Sequence, residues 1–155
     1  MDIIIRRAVE TDCPRMMELI HELAIFERAP DAVTVSFEHF VDSGFGQHPV
    51  WWAWVAETTN DSGNNVLVGF ALCYTRYSTW KGQRMYLEDI LVTEQMRRYG
   101  IGKLLFDQLI LEAREKGFQG ISWQVLDWNE PAIQFYEKMG NVTFEKGWWN
   151  CMIDF

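Results

Sequence analysis

The sequence predicts an α/β fold, with helices laid on a mixed, mostly antiparallel sheet in a single domain spanning residues 1–155. Strand-length apolar runs alternate with amphipathic stretches of helix length. Three consecutive strands between Trp51 and Val92 are joined only by turn-like segments, which makes an antiparallel meander. The strand–helix–strand passage from Met85 to Leu126 instead needs a crossover, so its two strands are expected to lie parallel and adjacent. A 155-residue chain that is 48% hydrophobic is long enough to close one sizeable core.

In chain order, the β-branched run Ile3–Arg7 is the first strand. Thr11-Asp12 supplies a cap for a helix over about 12–25, with Pro14 tolerated in its first turn and Met16, Ile20, Leu23 and Ala24 on one face. A second short helix starts at Ser36 and stops before the breaker Gly44-Phe45-Gly46. Strands follow at Trp51–Glu57, Val66–Tyr77 and Arg84–Val92, separated by the polar loop Thr58–Asn65 and the turn Ser78–Gln83. A helix from about Ile101 ends at Lys116-Gly117, a basic last turn followed by a glycine stop. Gly120–Leu126 is the next strand. Asn129 caps a further helix, with Pro131 just inside it and Gly140 ending it. Thr143–Trp148 and Asn150–Phe155 form a closing hairpin around Gly147.

Composition removes several classes of function. A net charge of −8 opposes general nucleic-acid binding, which rests on neutralising phosphates, and favours cationic ligands wherever the acids line a cleft. No apolar run reaches the roughly 18 residues of a membrane span, and the chain passes directly from Met1-Asp2 into a strand, so no membrane segment or leader is read. The expected location is cytoplasmic. The odd, scattered Cys13, Cys73 and Cys151 fit reduced thiols, and no Cys or His spacing matches a metal site.

The most informative stretch is Gln95-Met96-Arg97-Arg98-Tyr99-Gly100-Ile101-Gly102-Lys103. It places basic residues and glycines where a strand hands over to a helix amino terminus. Such a terminus offers unpaired N–H groups and partial positive charge, and glycine permits close approach of a phosphate. Lys103 is followed by Leu104 rather than Ser or Thr, which excludes a Walker loop, and a third glycine for a dinucleotide fingerprint is missing. The stretch reads as a pyrophosphate cradle.

Just upstream, Glu88 and Asp89 interrupt an apolar strand, and burying a carboxylate is costly without a purpose or a partner. Alternation puts Glu88 with Tyr86, Ile90 and Val92, and Asp89 with Leu87 and Leu91. Glu88 is the candidate for chemistry or substrate contact. Trp80 and Trp128 stand in connections at strand ends, where an indole would stack on an alkylammonium group.

Together these motifs resemble the GNAT superfamily of acetyl-CoA-dependent N-acetyltransferases. Arg97-x-x-Gly100-x-Gly102 looks like its pyrophosphate motif, and Asn129-Glu130-Pro131-Ala132 with Phe135-Tyr136 looks like its second cofactor segment. Gly44-Phe45-Gly46-Gln47-His48-Pro49, Tyr77-Ser78-Thr79-Trp80-Lys81-Gly82, Tyr86-Leu87-Glu88-Asp89 and Asp127-Trp128-Asn129 are similar to the spermidine/spermine (diamine) and thialysine N-acetyltransferase group.

The resemblance implies a GNAT-like fold, acetyl-CoA as co-substrate, no metal, a small-molecule amine acceptor and a homodimer. The strand segment Ile90, Leu91 and Val92 would hold the pantetheine arm through backbone groups. The loop Arg97, Arg98, Tyr99, Gly100, Ile101, Gly102 and Lys103 would hold the pyrophosphate, and Asn129 would contact the cofactor. Tyr136 would face the sulfur as general acid and Glu88 the amine as base. Phe26 and Glu27 match positions lining the amine site, with Trp80 a further acceptor contact. The polyamine enzymes carry an acid where Ser78 stands and another near Lys146, so the reading favours a thialysine- or lysine-like amine over a long polycation. Acetylation of a protein amino group, or a non-catalytic acyl-CoA-binding module, are the alternative readings.

Overall fold

A computed structural model describes all residues, 1–155. The chain divides into two compact units, Met1–Gln124 and Val125–Phe155. The first holds β1 (Ile4–Arg7), α1 (Cys13–Phe26), α2 (Phe37–Phe45), β2 (Trp52–Thr59), β3 (Asn65–Ser78), β4 (Gly82–Val92), α3 (Ile101–Glu115) and β5 (Ile121–Ser122). The second holds α4 (Glu130–Lys138).

The sheet runs in the order β1-β2-β3-β4-β5, antiparallel throughout except for the parallel pair β4–β5. The fold is the mixed, mostly antiparallel α/β sandwich that the sequence predicts. Turn chemistry sets the two hairpins. Asn60 Oδ1 accepts from the N–H groups of Ser62 and Asn64 between β2 and β3, and Ser78 Oγ accepts from those of Trp80 and Lys81 between β3 and β4.

Alternation along β2 assigns the faces. Ala53 and Val55 join Cys13, Met16 and Leu19 of α1 and Phe40 of α2 in one core. Trp54 points the other way, and its Nε1 donates to Glu112 of α3 at 2.7 Å. Glu112 is buried, yet it also accepts from Arg7 at 2.8 Å and Lys116 at 3.2 Å, so its carboxylate is fully engaged. No sequence pattern announces that network.

Several local expectations are corrected. Asp12 does not cap α1 through its side chain; the carboxylate accepts instead from Arg6 and from the Val9 N–H. Gly44 does not break α2, which runs through it to Phe45. A Cβ at Gly44 would overlap the Trp51 indole, and Trp51 in turn stacks on Phe40 at 4.8 Å. Glycine there is a packing requirement. The strand expected over 120–126 shrinks to Ile121–Ser122, opposite Met85 and Tyr86.

In the second unit, Asn129 Oδ1 accepts from the Ala132 N–H at 3.3 Å and caps α4. Gly140, at φ +84°, ends the helix in the left-handed region that favours glycine. Residues 141–155 form no strand, so the expected closing hairpin is absent. A two-stranded hairpin alone is marginal in water, and here Trp148, Trp149, Ile153 and Phe155 stay exposed rather than supplying a buried face.

Candidate active site

The register of β3 and β4 shifts at one point. Leu72 stands opposite Asp89 and Cys73 opposite Leu87, leaving Glu88 as the extra residue of a β-bulge. Directly opposed residues share a face. Leu87 therefore lies with Cys73 on the α3 side, while Asp89 lies with Leu72 on the α1 side. Simple alternation had put Asp89 with Leu87 and Leu91; the bulge separates it from Leu87 and keeps it with Leu91.

That face gathers an acidic and aromatic group. Tyr74 and Tyr86 are opposed across the strands with ring centroids 5.1 Å apart, and Arg76 lies 5.7 Å over the Tyr86 ring. Burial raises the Tyr74 phenol to about 12, helped by the Glu88 charge, the neighbouring Tyr86 and a hydrogen bond to Glu88, with Arg76 opposing. Asp89 is partly buried, and its carboxyl rises to about 6, first through desolvation and then through the charges of Glu88 and Glu27. Glu27, at the carboxyl end of α1 and exposed as a residue, is also raised by partial desolvation. The charges of Glu88 and Glu27 thus both act on Asp89, although no group of acids, His or Cys converges in a metal-holding geometry.

The other half of the site is backbone. β5 covers β4 only at Met85 and Tyr86, so the outer edge of β4 from Leu87 to Val92 has no strand beside it. An open edge of this kind pairs with an extended ligand carrying amides. Downstream, Arg98 (φ 71°) and Gly100 (φ 76°) turn the chain into α3. The first helical bond is donated by Leu104 to Gly100, which leaves the preceding N–H groups of the helix start pointing outward. A Cβ at Gly100 would meet nothing within 4 Å, so the approach to the loop is open.

Two contacts fix the loop to α1. Glu22 accepts from Thr93 Oγ1 at 3.1 and 3.0 Å and from the Glu94 N–H at 3.1 Å. Arg97 donates from Nε to the Val92 carbonyl at 3.1 Å, and its guanidinium lies 5.2 Å over the Phe26 ring. Arg97 is thus a strut inside the protein, whereas Arg98 and Lys103 supply charge at the loop surface; Lys103 pairs with Asp107 at 2.6 Å.

The model of the acetyltransferase (GNAT) family matches residues 5–140. This chain belongs to that family. Among curated relatives, the thialysine N-epsilon-acetyltransferase of Bos taurus is 38% identical over 151 residues, covering 94% of this chain and 89% of the relative. A spermidine/spermine N(1)-acetyltransferase-like protein of Homo sapiens is 32% identical, covering 93% of this chain and 21% of that protein. Among solved structures, an aminoglycoside acetyltransferase from an uncultured soil metagenomic sample, in complex with trehalose, superposes with a TM-score of 0.77 at 22% identity, covering 99% of this chain and 96% of that one. That last likeness shows the GNAT fold. The chain is an amine N-acetyltransferase of this family.

Within the GNAT frame the predicted residues fall into distinct places. Phe26, Glu27 and Glu88 come to the end of α1 and the bulge. Ile90, Leu91 and Val92 form the open edge, and Arg97 to Lys103 lead into α3. Trp80 stands apart. It is 90% exposed at the β3–β4 turn, and that turn closes at Ser78–Gly82, five residues along from Cys73–Leu87, about 17 Å at strand rise. Asn129 and Tyr136 belong to the second unit, where Asn129 caps α4 and Tyr136 meets Phe135 with ring centroids 5.5 Å apart. Sequence reasoning missed Tyr74 and Glu22 altogether, since each reads as an ordinary strand or helix residue.

The residues present fit acetyl-CoA. An extended pantetheine arm matches the uncovered edge, and a pyrophosphate matches an open, basic helix start.

Proposed function

We propose that the protein moves the acetyl group of acetyl-CoA to a primary amine of a small cationic acceptor, thialysine- or lysine-like or a diamine, by direct attack in a ternary complex. The observation that carries this reading is the bulge. It leaves Glu88 unpaired on β3 beside Asp89, on which the charges of Glu88 and Glu27 both act, at the strand whose open edge suits the donor.

An alkylammonium group has a pKa of ~10.4 and cannot attack until it loses a proton. Glu88 takes that proton, directly or through a water, and Asp89 and Glu27 favour a cationic acceptor over a neutral one. N–H groups of the Glu88–Val92 strand stabilise the oxyanion as the N–C bond forms. The C–S bond then breaks, and Tyr136 gives its proton to the departing thiolate. Backbone groups of Ile90 and Val92 hold the pantetheine arm, those of Arg98 to Lys103 the pyrophosphate, and Asn129 a further part of the donor. The absence of an acid at Ser78 and the cation at Lys146 favour a short acceptor. The names of the thialysine-acetylating relatives point the same way.

The test is thiol release from acetyl-CoA with thialysine, lysine, putrescine, spermidine and a lysine-containing peptide. Turnover fastest with thialysine or lysine is expected. A peptide that outpaces every small amine would move the acceptor to protein amino groups, and acetyl-CoA binding without turnover would leave a non-catalytic module.

A further inference from the structure

We infer that Arg76, backed by Arg84, binds a carboxylate of the acceptor, so that the substrate is an amino acid with a side-chain amine rather than a diamine. The inference rests on the acids at the bulge receiving the acceptor amine, and it names the substrate class that this end of the sheet takes.

Strand register puts the two arginines together. Arg76 on β3 stands directly opposite Arg84 on β4, one row beyond the Tyr74–Tyr86 pair and on the same face. Like charges placed opposite one another are unfavourable, and a nearby acid would relieve them. None does so. The ion pairs of this unit use Arg6, Arg7, Arg15, Lys103 and Lys116, and neither Arg76 nor Arg84 takes part in one. Arg84 donates from Nε to Ser122 Oγ at 2.9 Å, and a Cβ at Gly120 would lie 2.6 Å from its Nη2, so this guanidinium is held in place. Arg76 lies 5.7 Å over the Tyr86 ring and donates to no acceptor of the protein. A planar guanidinium with its donors unused is suited to hold a carboxylate through two parallel bonds.

Spacing selects the length of the acceptor. Leu72, Tyr74 and Arg76 follow one another on one face of β3, and Asp89 stands opposite Leu72. Because the Arg76 guanidinium sits over Tyr86, it is one row from Asp89, about 7 Å at strand rise. An extended lysine or thialysine chain separates its terminal nitrogen from its carboxylate by about 7–8 Å. The terminal amine then meets the acids at the bulge. The tyrosine rings, 5.1 Å apart, floor the stem, and the arginines close the far end. A diamine of the same length would bring a second cation against two guanidinium groups and be repelled.

The experiment measures kcat/KM by thiol release from acetyl-CoA for wild type, Arg76→Gln and Arg76→Lys. The acceptors are thialysine and thialysine carboxamide, in which a neutral amide replaces the carboxylate. Arg76 is exposed, so both variants are expected to fold, and far-UV circular dichroism confirms it. Wild type should prefer the carboxylate acceptor by about tenfold, the size of one hydrogen bond between charged groups. Arg76→Gln should bring that ratio close to one by raising the KM for thialysine, and should act on a five-carbon diamine faster than wild type does. Arg76→Lys should keep part of the preference, since it retains the charge and loses the fork. If Arg76→Gln leaves the ratio where wild type has it, there is no carboxylate subsite and this inference falls while acetyl transfer stands. If the acetyl-CoA KM alone rises, the arginines serve the phosphates of the donor, and the inference is likewise overturned. If wild type releases no thiol with any amine, the proposed function fails and takes the inference with it.

Discussion

The Arg97 guanidinium lies 5.2 Å over the Phe26 ring, so the end of α1 that borders the acids is bound to the loop that leads into α3. The same side chain holds the Val92 carbonyl at the last residue of β4. Under the proposed function, one side chain thus ties the donor loop to the acceptor wall.

Arg97→Ala is accordingly expected to raise the KM for acetyl-CoA and for the amine in parallel, each by about tenfold, as a lost charged hydrogen bond and a cation–π contact imply. Steady-state kinetics with each substrate varied in turn provide the check. A change confined to acetyl-CoA, with a weaker salt dependence of binding, would instead make Arg97 a direct phosphate ligand.

Glu22→Ala removes the acceptor of the nearly buried Thr93 hydroxyl and of the Glu94 N–H. Leaving those donors unpaired should cost about 1–3 kcal/mol in urea unfolding and loosen the loop start. The acetyl-CoA KM should rise more than the amine KM, which an unaltered donor affinity would contradict.

Tyr136→Phe should lower kcat far more than acetyl-CoA affinity, because the lost proton is needed only as the thiolate leaves. Glu88→Gln should lose activity at neutral pH and regain part of it in alkali, as the amine approaches its own pKa of ~10.4 and deprotonates unaided. Unchanged steady-state rates would remove Tyr136 from the chemistry. A pH–rate profile that overlays wild type would remove Glu88.

Asp89 gives a pH-dependent stability effect. Its folded pKa of about 6 lies above the ordinary 3.8, so folding favours the protonated carboxyl. Whatever stability that form contributes is present below the unfolded pKa and lost as pH rises through the folded value. Asp89→Asn mimics the protonated form and should stabilise the protein at neutral pH by about 2 kcal/mol, allowing for partial exposure. The gain should disappear below pH ~4. Thermal melts at the two pH values measure the difference, and a gain equal at both would assign it to something other than ionisation.

Much of the fold is written plainly in the chain. Gly100 and Gly117 punctuate α3, Asn129 and Pro131 mark the start of α4, and the long passage from Met85 to Leu126 demands the parallel pair that β4 and β5 make. Each is a local signal with a local cause. What stayed hidden depends on partners far along the chain. The bulge at Glu88 carries no glycine and no gap in the apolar pattern, since Leu87-Glu88-Asp89 reads equally well as regular alternation. The Tyr74–Tyr86 pair exists only because β3 and β4 pair in one register, and Gly44 looks like a breaker until Trp51 is seen against it. Arg97 shows a further limit. Its spacing identifies the motif, but the direction of its side chain is set by Phe26, far upstream on α1.

Considered as heredity rather than geometry, the bulge has an unusual property. Were the Glu88 codon lost in frame, the pairs Cys73–Leu87 and Leu72–Asp89 would become consecutive, and Ile90, Leu91 and Val92 would keep the faces they have now. One deletion would thus erase the proposed base while sparing the core. A lineage could abandon the chemistry proposed for position 88 without abandoning the fold.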